Sequence, residues 1–190
     1  MRFFTYLLVC FTVLPAITGC AFFEDHKHHI VIDVRHQELT VYADETPVKT
    51  FPISTSKFGI GDSPGSCATP GGILKVIEKI GSGCPPGTVF KSRHATGEIL
   101  PTNAPGRDPI VTRILWLKGT EPQNSNAYNR FIYIHGTPEE KKIGRPSSFG
   151  CIRMRSQDVI ELYNIVGVGA TVEVKTAGAP RPLAHIVRGG

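Results

Sequence analysis

The sequence predicts a mainly β fold, a β-sandwich of mixed sheets with one principal helix placed after a Gly-Cys turn. Short apolar runs with period-two alternation recur between Ile30 and Lys175, separated by Gly- and Pro-rich turns. One stretch, beginning at Ser156, carries apolar residues at helical spacing, and the chain has no internal repeat. Alternation of this kind buries one face of each strand, so two sheet surfaces have to close on each other. A chain of 190 residues is long enough to do this within one domain.

The start of the chain reads as lying outside that domain. Arg2 and the apolar run Phe3 to Leu14 have the length of a signal peptide, too short to cross a bilayer. Ile17-Thr18-Gly19-Cys20 resembles the bacterial lipobox, so removal of residues 1–19 and lipidation of Cys20 are expected. Several acyl chains anchor firmly where one binds marginally, and Ala21 after the cysteine resembles lipoproteins of the outer membrane. The expected location is therefore the periplasmic face of that membrane. Residues 20–29 read as a lipidated N-terminus and polar tether. Its His26, His28 and His29 lack companions at zinc-like spacing. Residues 30–175 form the expected domain, and the Gly/Pro/Arg-rich 176–190 reads as a loose tail.

Within the domain, Ile30 to Val34 and Leu39 to Tyr42 read as a hairpin about His36-Gln37, with Val48 to Ile53 as a further strand. Lys57 to Gly72 is a loop and Ile73 to Ile80 a strand. Gly81 to Asp108 reads as a long, loop-rich segment, and such segments often carry function, so it is the expected wall of a substrate groove. Ile110 to Leu117, rich in Ile, Val, Leu and Trp, is the central strand. Arg113 interrupts it, either turned to solvent or in a substrate-binding or structural role. Asn124 to Asn129 is a polar connection, and Phe131, Tyr133 and Ile134 mark the next strand. Ser156 reads as an N-cap with Asp158 in the first turn, followed by the stripe Val159, Ile160, Leu162, Tyr163 and Val166 and a stop at Gly167. Thr171 to Lys175 closes the sheet.

Export implies an oxidising compartment, so the cysteines need accounting. Between Cys67 and Cys84 lies a strand of about 26 Å at ~3.3 Å per residue, whereas a disulfide needs Cα atoms within ~7 Å. Both are expected as free, buried thiols. Lys and Arg number 21 against 16 Asp and Glu, a net +5 spread along the chain. That provides no nucleic-acid tract and does not oppose approach to anionic polymers. Nor does the sequence show a phosphate-cradling loop, a paired acidic motif or a nucleotide fingerprint, so neither a cofactor nor a metal is expected.

Chemistry concentrates between Ile132 and Met154. His135 falls at the end of a strand, before Gly136 lets the chain turn; the Lys/Glu/Pro/Gly loop Thr137 to Ser147 then returns to Ser148-Phe149-Gly150-Cys151. Gly150 permits a close or left-handed backbone beside the thiol. A thiol attacks as its thiolate, and an imidazole that takes its proton makes a Cys/His pair a nucleophile arrangement suited to acyl transfer.

This stretch resembles the active-site segment of the L,D-transpeptidases, the YkuD-type catalytic domains that remodel bacterial cell wall. The likeness extends through Ser54-Thr55-Ser56, Gly59-Ile60-Gly61, Ser66, Thr69-Pro70 with Gly72, Lys79-Ile80-Gly81, Gly87-Thr88-Val89-Phe90 and Arg93. It continues in Thr112 to Leu117, Ile132 to Thr137 and Gly150 to Met154, and so covers about residues 30 to 175. One departure stands out: where the family usually has Ser/Thr-His-Gly-Cys, the second position is Phe149.

The resemblance implies that Cys151 attacks a donor tetrapeptide stem of peptidoglycan at its diaminopimelate carbonyl, expels the terminal D-alanine and holds the remainder as a thioester. His135 would serve as base, oriented by the Gly136 carbonyl. Backbone N–H groups around Gly150 and Cys151 would stabilise the oxyanion, and Arg153, Ser148, Phe149, Gly150 and Arg113 would line the substrate site. The acceptor decides the product: another stem gives a cross-link, a lipoprotein lysine attaches that protein to the wall, and water makes the enzyme a carboxypeptidase or a wall-protein hydrolase. An inactive peptidoglycan-binding lipoprotein is the alternative, and Phe149 is the residue that favours it.

Overall fold

Alternating apolar residues need a partner surface, and in the computed structural model, which describes residues 24–175, ten strands find it within one hydrogen-bonded mixed sheet. In chain order they are β1 (His28–Asp33), β2 (Glu38–Ala43), β3 (Thr46–Pro52), β4 (Gly72–Ile80), β5 (Thr88–Lys91), β6 (His94–Ile99), β7 (Ile110–Gly119), β8 (Tyr133–Gly136), β9 (Ile152–Met154) and β10 (Thr171–Lys175), with one helix, α1 (Ser156–Ile165), before the last strand. The spatial order is β3-β2-β1-β10-β4-β7-β5-β6, with β8 added to β7 and β9 to β8. Two pairings are parallel, β1 with β10 and β8 with β9; the others are antiparallel. The fold is mainly β with a mixed sheet and, among the described residues, a single α-helix, as the alternation and the one amphipathic stretch predict.

The sheet branches at β7. Its residues 114–119 pair with β4, residues 110 and 111 pair with β5, and residues 111–116 pair with β8. The register slips between Val111 and Ile114, where Thr112 takes φ 72°, a conformation a β-branched residue adopts only when its surroundings hold it there. Those surroundings are visible: Thr112 Oγ1 accepts the Gly87 N–H at 2.9 Å and lies 2.9 Å from Ser156 Oγ. On one face of β7, β8 and β9, Leu115, Leu117, Ile134, Ile152 and Met154 join Val159 and Leu162 of α1 and Val166 just after it in the main core. On the other face, Ile114, Trp116 and Tyr133 form a second, smaller cluster that Cys151 borders.

Several elements depart from the sequence reading. The segment read as loop from Gly81 to Asp108 contains the β5/β6 hairpin, whose runs are short and interrupted by Gly97. Three-residue β9 is too short for period two to show. Phe131 is not in a strand but in a turn at φ 55°, just before β8. His28 and His29 belong to β1 rather than to a tether, and Asp25 is tied in as well, its N–H donating to Val168 O at 2.7 Å. Cys67 and Cys84 are free thiols but half-buried. The signal peptide, Cys20 and the tail from 176 lie outside the described residues.

The helix start is also different. Ser156 is the first helical residue and its hydroxyl meets Thr112; the Ser156 N–H donates instead to Glu140 Oε1 at 2.8 Å. A carboxylate from the 137–147 loop therefore caps α1, satisfying an otherwise orphan N–H and complementing the positive end of the helix. Glu140→Ala is expected to lower unfolding free energy by about 1 kcal/mol in urea titration. An unchanged midpoint would show that water caps the helix as well.

Candidate active site

The parallel pairing of β8 with β9 sets the site. Ile134 lies opposite Ile152 and His135 opposite Arg153. Side chains alternate along a strand, so Tyr133 and His135 share one face with Cys151 and Arg153, while Ile134 and Ile152 point to the main core. Cys151, one residue before β9, is carried to the level of Tyr133, whose N–H donates to the sulfur at 3.4 Å. The thiol donates in turn to Phe131 O at 3.4 Å. Phe131 presents that carbonyl from its left-handed turn, so a strained backbone and the thiol meet at one point.

Gly150 takes φ 126°, and a Cβ there would sit 3.3 Å from Ile132 Cδ1 and 3.4 Å from Ala68 O. The turn thus uses the freedom of glycine and the absence of its side chain together. Ser148, buried, donates through Oγ to Cys151 O at 2.6 Å and accepts the Gly150 N–H at 3.2 Å; Thr69 Oγ1 donates to Gly150 O at 2.9 Å. Ser54 pairs with Arg153 on the free edge of β9, and Ser56 pairs with Ser148.

His135 is 5 % exposed, and its Nδ1 lies 2.8 Å from Gly136 O. Such a bond places the proton on Nδ1 and leaves Nε2 unprotonated. Gly136 has no room for a side chain, since a Cβ would approach Val111 O to 2.6 Å. Burial lowers the imidazole to about 4; the Gly136 carbonyl and Asp108 oppose this, and Arg153 assists it. Burial raises the Cys151 thiol to about 11 despite the Tyr133 N–H, Arg130 and Arg153. Desolvation therefore outweighs the charges nearby, and the resting pair is neutral thiol and neutral imidazole rather than the ion pair that a Cys/His motif suggests. The sulfur's hydrogen bonds run to the backbone of residues 131 and 133; the imidazole is not among its partners.

A family model described as the YkuD L,D-transpeptidase catalytic domain matches residues 27–174. The chain belongs to the L,D-transpeptidase family. Over 148 residues it is 26% identical to a Bacillus subtilis protein named as an L,D-transpeptidase, YqjB, covering 76% of this chain and 69% of that protein. A 41-residue stretch, 22% of this chain and 25% of its relative, is 51% identical to B. subtilis YkuD. Among solved structures, an L,D-transpeptidase from Mycobacterium smegmatis superposes with a TM-score of 0.50 at 22% identity, covering 78% of this chain and 58% of that one. L,D-transpeptidase 3 of Mycobacterium tuberculosis, in complex with a faropenem-derived adduct, does so at 0.51 and 19% identity, covering 78% and 60%. The chain spans less than two thirds of these solved chains, and at such identities they show the shared fold.

In this L,D-transpeptidase domain the residues expected at the substrate divide. Phe149 is 66 % exposed, two residues before Cys151. Arg153, expected to hold a substrate carboxylate, is 3 % exposed and committed internally to Asp108, Ser147 and, at 3.3 Å, Glu139. Glu139 also holds Lys142 at 2.6 Å, so this network ties the 137–147 loop to β9 below His135. Arg113 likewise turns inward, donating to Cys84 O at 2.8 Å and Thr112 O and stacking over Tyr163 at 5.5 Å. Both guanidiniums serve structural roles. The Gly150 N–H is engaged by Ser148 Oγ, which removes it from the expected oxyanion donors. The Gly81–Asp108 segment walls a cavity of about 350 Å³ with Glu140, Ser156 and Gln157, a lining that includes neither Cys151 nor His135.

Arg130, a charged neighbour of the thiol, escaped the sequence reading, and Arg93 was legible there only through the family likeness. Arg130 donates to Gly61 O, Asp62 Oδ1 and Ala68 O at 3.1, 2.6 and 2.7 Å, bracing the loop under Gly150. Arg93 lies over Trp116 at 4.5 Å and Phe131 at 5.5 Å. Basic residues in polar connections gave no signal of their own, since long-range folding decides what they touch.

Two outcomes follow from these contacts. Because the folded His135 value of about 4 lies below the ordinary 6.5, the unfolded chain takes up its proton first. Its contribution is complete above pH 6.5 and is lost on acidification toward pH 4, about 3 kcal/mol in all. Urea titrations across this window should therefore be flatter by that amount for His135→Gln; parallel curves would contradict the buried neutral imidazole. Arg153→Ala is expected to cost ~1–3 kcal/mol, since it leaves the partly buried Asp108 without its ion-pair partner. A loss within about 0.5 kcal/mol, the range of an ordinary surface change, would return Arg153 to the substrate side.

Proposed function

We propose that this L,D-transpeptidase-family domain acts on peptidoglycan stem peptides through a thioester on Cys151, either joining stems or attaching proteins to the wall. The placement of Cys151 and His135 on one face of the β8/β9 pair, with Nε2 free to accept a proton, carries the reading. Cys151 Sγ attacks the carbonyl of the donor's third residue as His135 Nε2 takes the thiol proton. The proton passes to the departing amine of the terminal D-alanine, leaving the acyl group on sulfur. An acceptor amine then attacks the thioester while His135 removes its proton, and the thiol is restored. Because both groups rest neutral, proton transfer accompanies attack rather than preceding it. The Tyr133 N–H beside the sulfur stabilises the charge that gathers there.

The Ile17 to Cys20 sequence supports a periplasmic lipoprotein whose membrane anchor precedes the domain, with residues 176–190 as a C-terminal tail. Hydrolysis of the same bonds by water is the variant of this chemistry with no acceptor amine. The contact of the thiol with Phe131 O, together with Phe149, favours a second reading, an inert peptidoglycan-binding protein.

Mass spectrometry of muropeptides after incubation with the purified protein distinguishes these. New cross-linked or D-alanine-free stems are expected with wild type and absent with Cys151→Ala and His135→Ala. Identical products from Cys151→Ala would remove the acyl-transfer reading. The acylation rate should hold from about pH 5 upward and fall only as His135 protonates near 4. A fall centred near pH 6.5 would mean an exposed, ordinary imidazole.

A further inference from the structure

Two of the most exposed large apolar side chains, Phe149 at 66 %, two residues before Cys151, and Phe58 at 54 %, lie against each other with centroids 5.7 Å apart. The Lys57 ammonium stands over both, 4.3 Å from the Phe149 ring and 5.2 Å from the Phe58 ring. The backbone fixes this shelf. Lys57 N–H donates to Ser148 O at 3.2 Å, and Phe58 N–H donates to Ser56 Oγ at 3.0 Å. Ser148 in turn holds Cys151 O, so the shelf and the nucleophile turn are one unit.

Lys57 is set apart by standing over two exposed rings with, among the described residues, no carboxylate beside it. Lys49, Lys75 and Lys142 each reach a carboxylate, whereas Lys57 forms no ion pair among the described residues. An ammonium resting on two rings has given up part of its hydration yet keeps donors on its outer side. An incoming carboxylate gains a charge-assisted bond there without displacing an internal partner, and the rings beside it favour a small apolar group over water.

We infer that Lys57, Phe58 and Phe149 form a subsite for a peptide's free C-terminal carboxylate and the small apolar side chain next to it, the end of the donor that departs when Cys151 is acylated. The inference rests on the transpeptidase reading and adds to it a requirement for an unblocked donor terminus. It also gives Phe149 a purpose: a ring at that position completes the seat for Lys57.

Calorimetric titration of the Cys151→Ala protein with the stem tetrapeptide as free acid and as C-terminal amide tests this, with Lys57→Gln and Lys57→Arg in the same background. The free acid is expected to bind at least tenfold more tightly than the amide. Lys57→Gln should bring the acid to the level of the amide, and Lys57→Arg should restore most of the difference. Equal binding of the two peptides, or a tenfold preference that survives Lys57→Gln, overturns the subsite while acyl transfer by wild type still stands. No binding of either peptide, together with no acylation of wild type, overturns both.

Discussion

The site depends on one parallel pairing, between four-residue β8 and three-residue β9. In register, it carries His135 and Cys151 to the same face although a loop of opposite character separates them in sequence. A slip of one residue would turn the sulfur toward the main core beside Ile134 and turn Ile152 out of it. So short a strand does not hold its own register. Ser54 pairs with its outer edge, Thr69 and Ser148 hold the turn before it, and Arg153 fixes it from below through Asp108 and Glu139.

The same packing sets the electrostatics. Burying His135 on β8 between β7 and β9 lowers its basicity, and lodging the sulfur among Phe131, Tyr133 and Arg130 weakens the thiol as an acid. Each change favours the neutral form. The thiol therefore rests in the form that resists oxidation, since the thiolate is the species that oxidises.

Much of this was legible in the sequence. Alternation from Ile30, the apolar Ile110 to Leu117 run and the stripe from Val159 to Val166 follow from burying one face of each element, and the structure has them. His135 before Gly136 and Gly150 before Cys151 stood out because glycine marks where a backbone must turn or approach closely. What stayed hidden was set by distant parts of the chain. β9 is too short to show a period, Phe131 looks like a strand residue until its turn is seen, and the capping of α1 comes from Glu140 in another loop. Arg153 and Arg113 could not be sorted between solvent, substrate and interior, because a guanidinium's partners are fixed only when Asp108, Glu139 and the Cys84 carbonyl arrive beside it.

The central claim is that the Cys151 sulfur becomes covalently acylated by a peptidoglycan stem. Acid-quenched intact-mass spectrometry of the protein with a donor tetrapeptide, followed by peptide mapping, measures that directly. The account predicts a hydroxylamine-labile adduct on Cys151 with the mass of the donor less its terminal D-alanine. An unmodified protein, or an adduct on another residue, under conditions where the donor is consumed would contradict it.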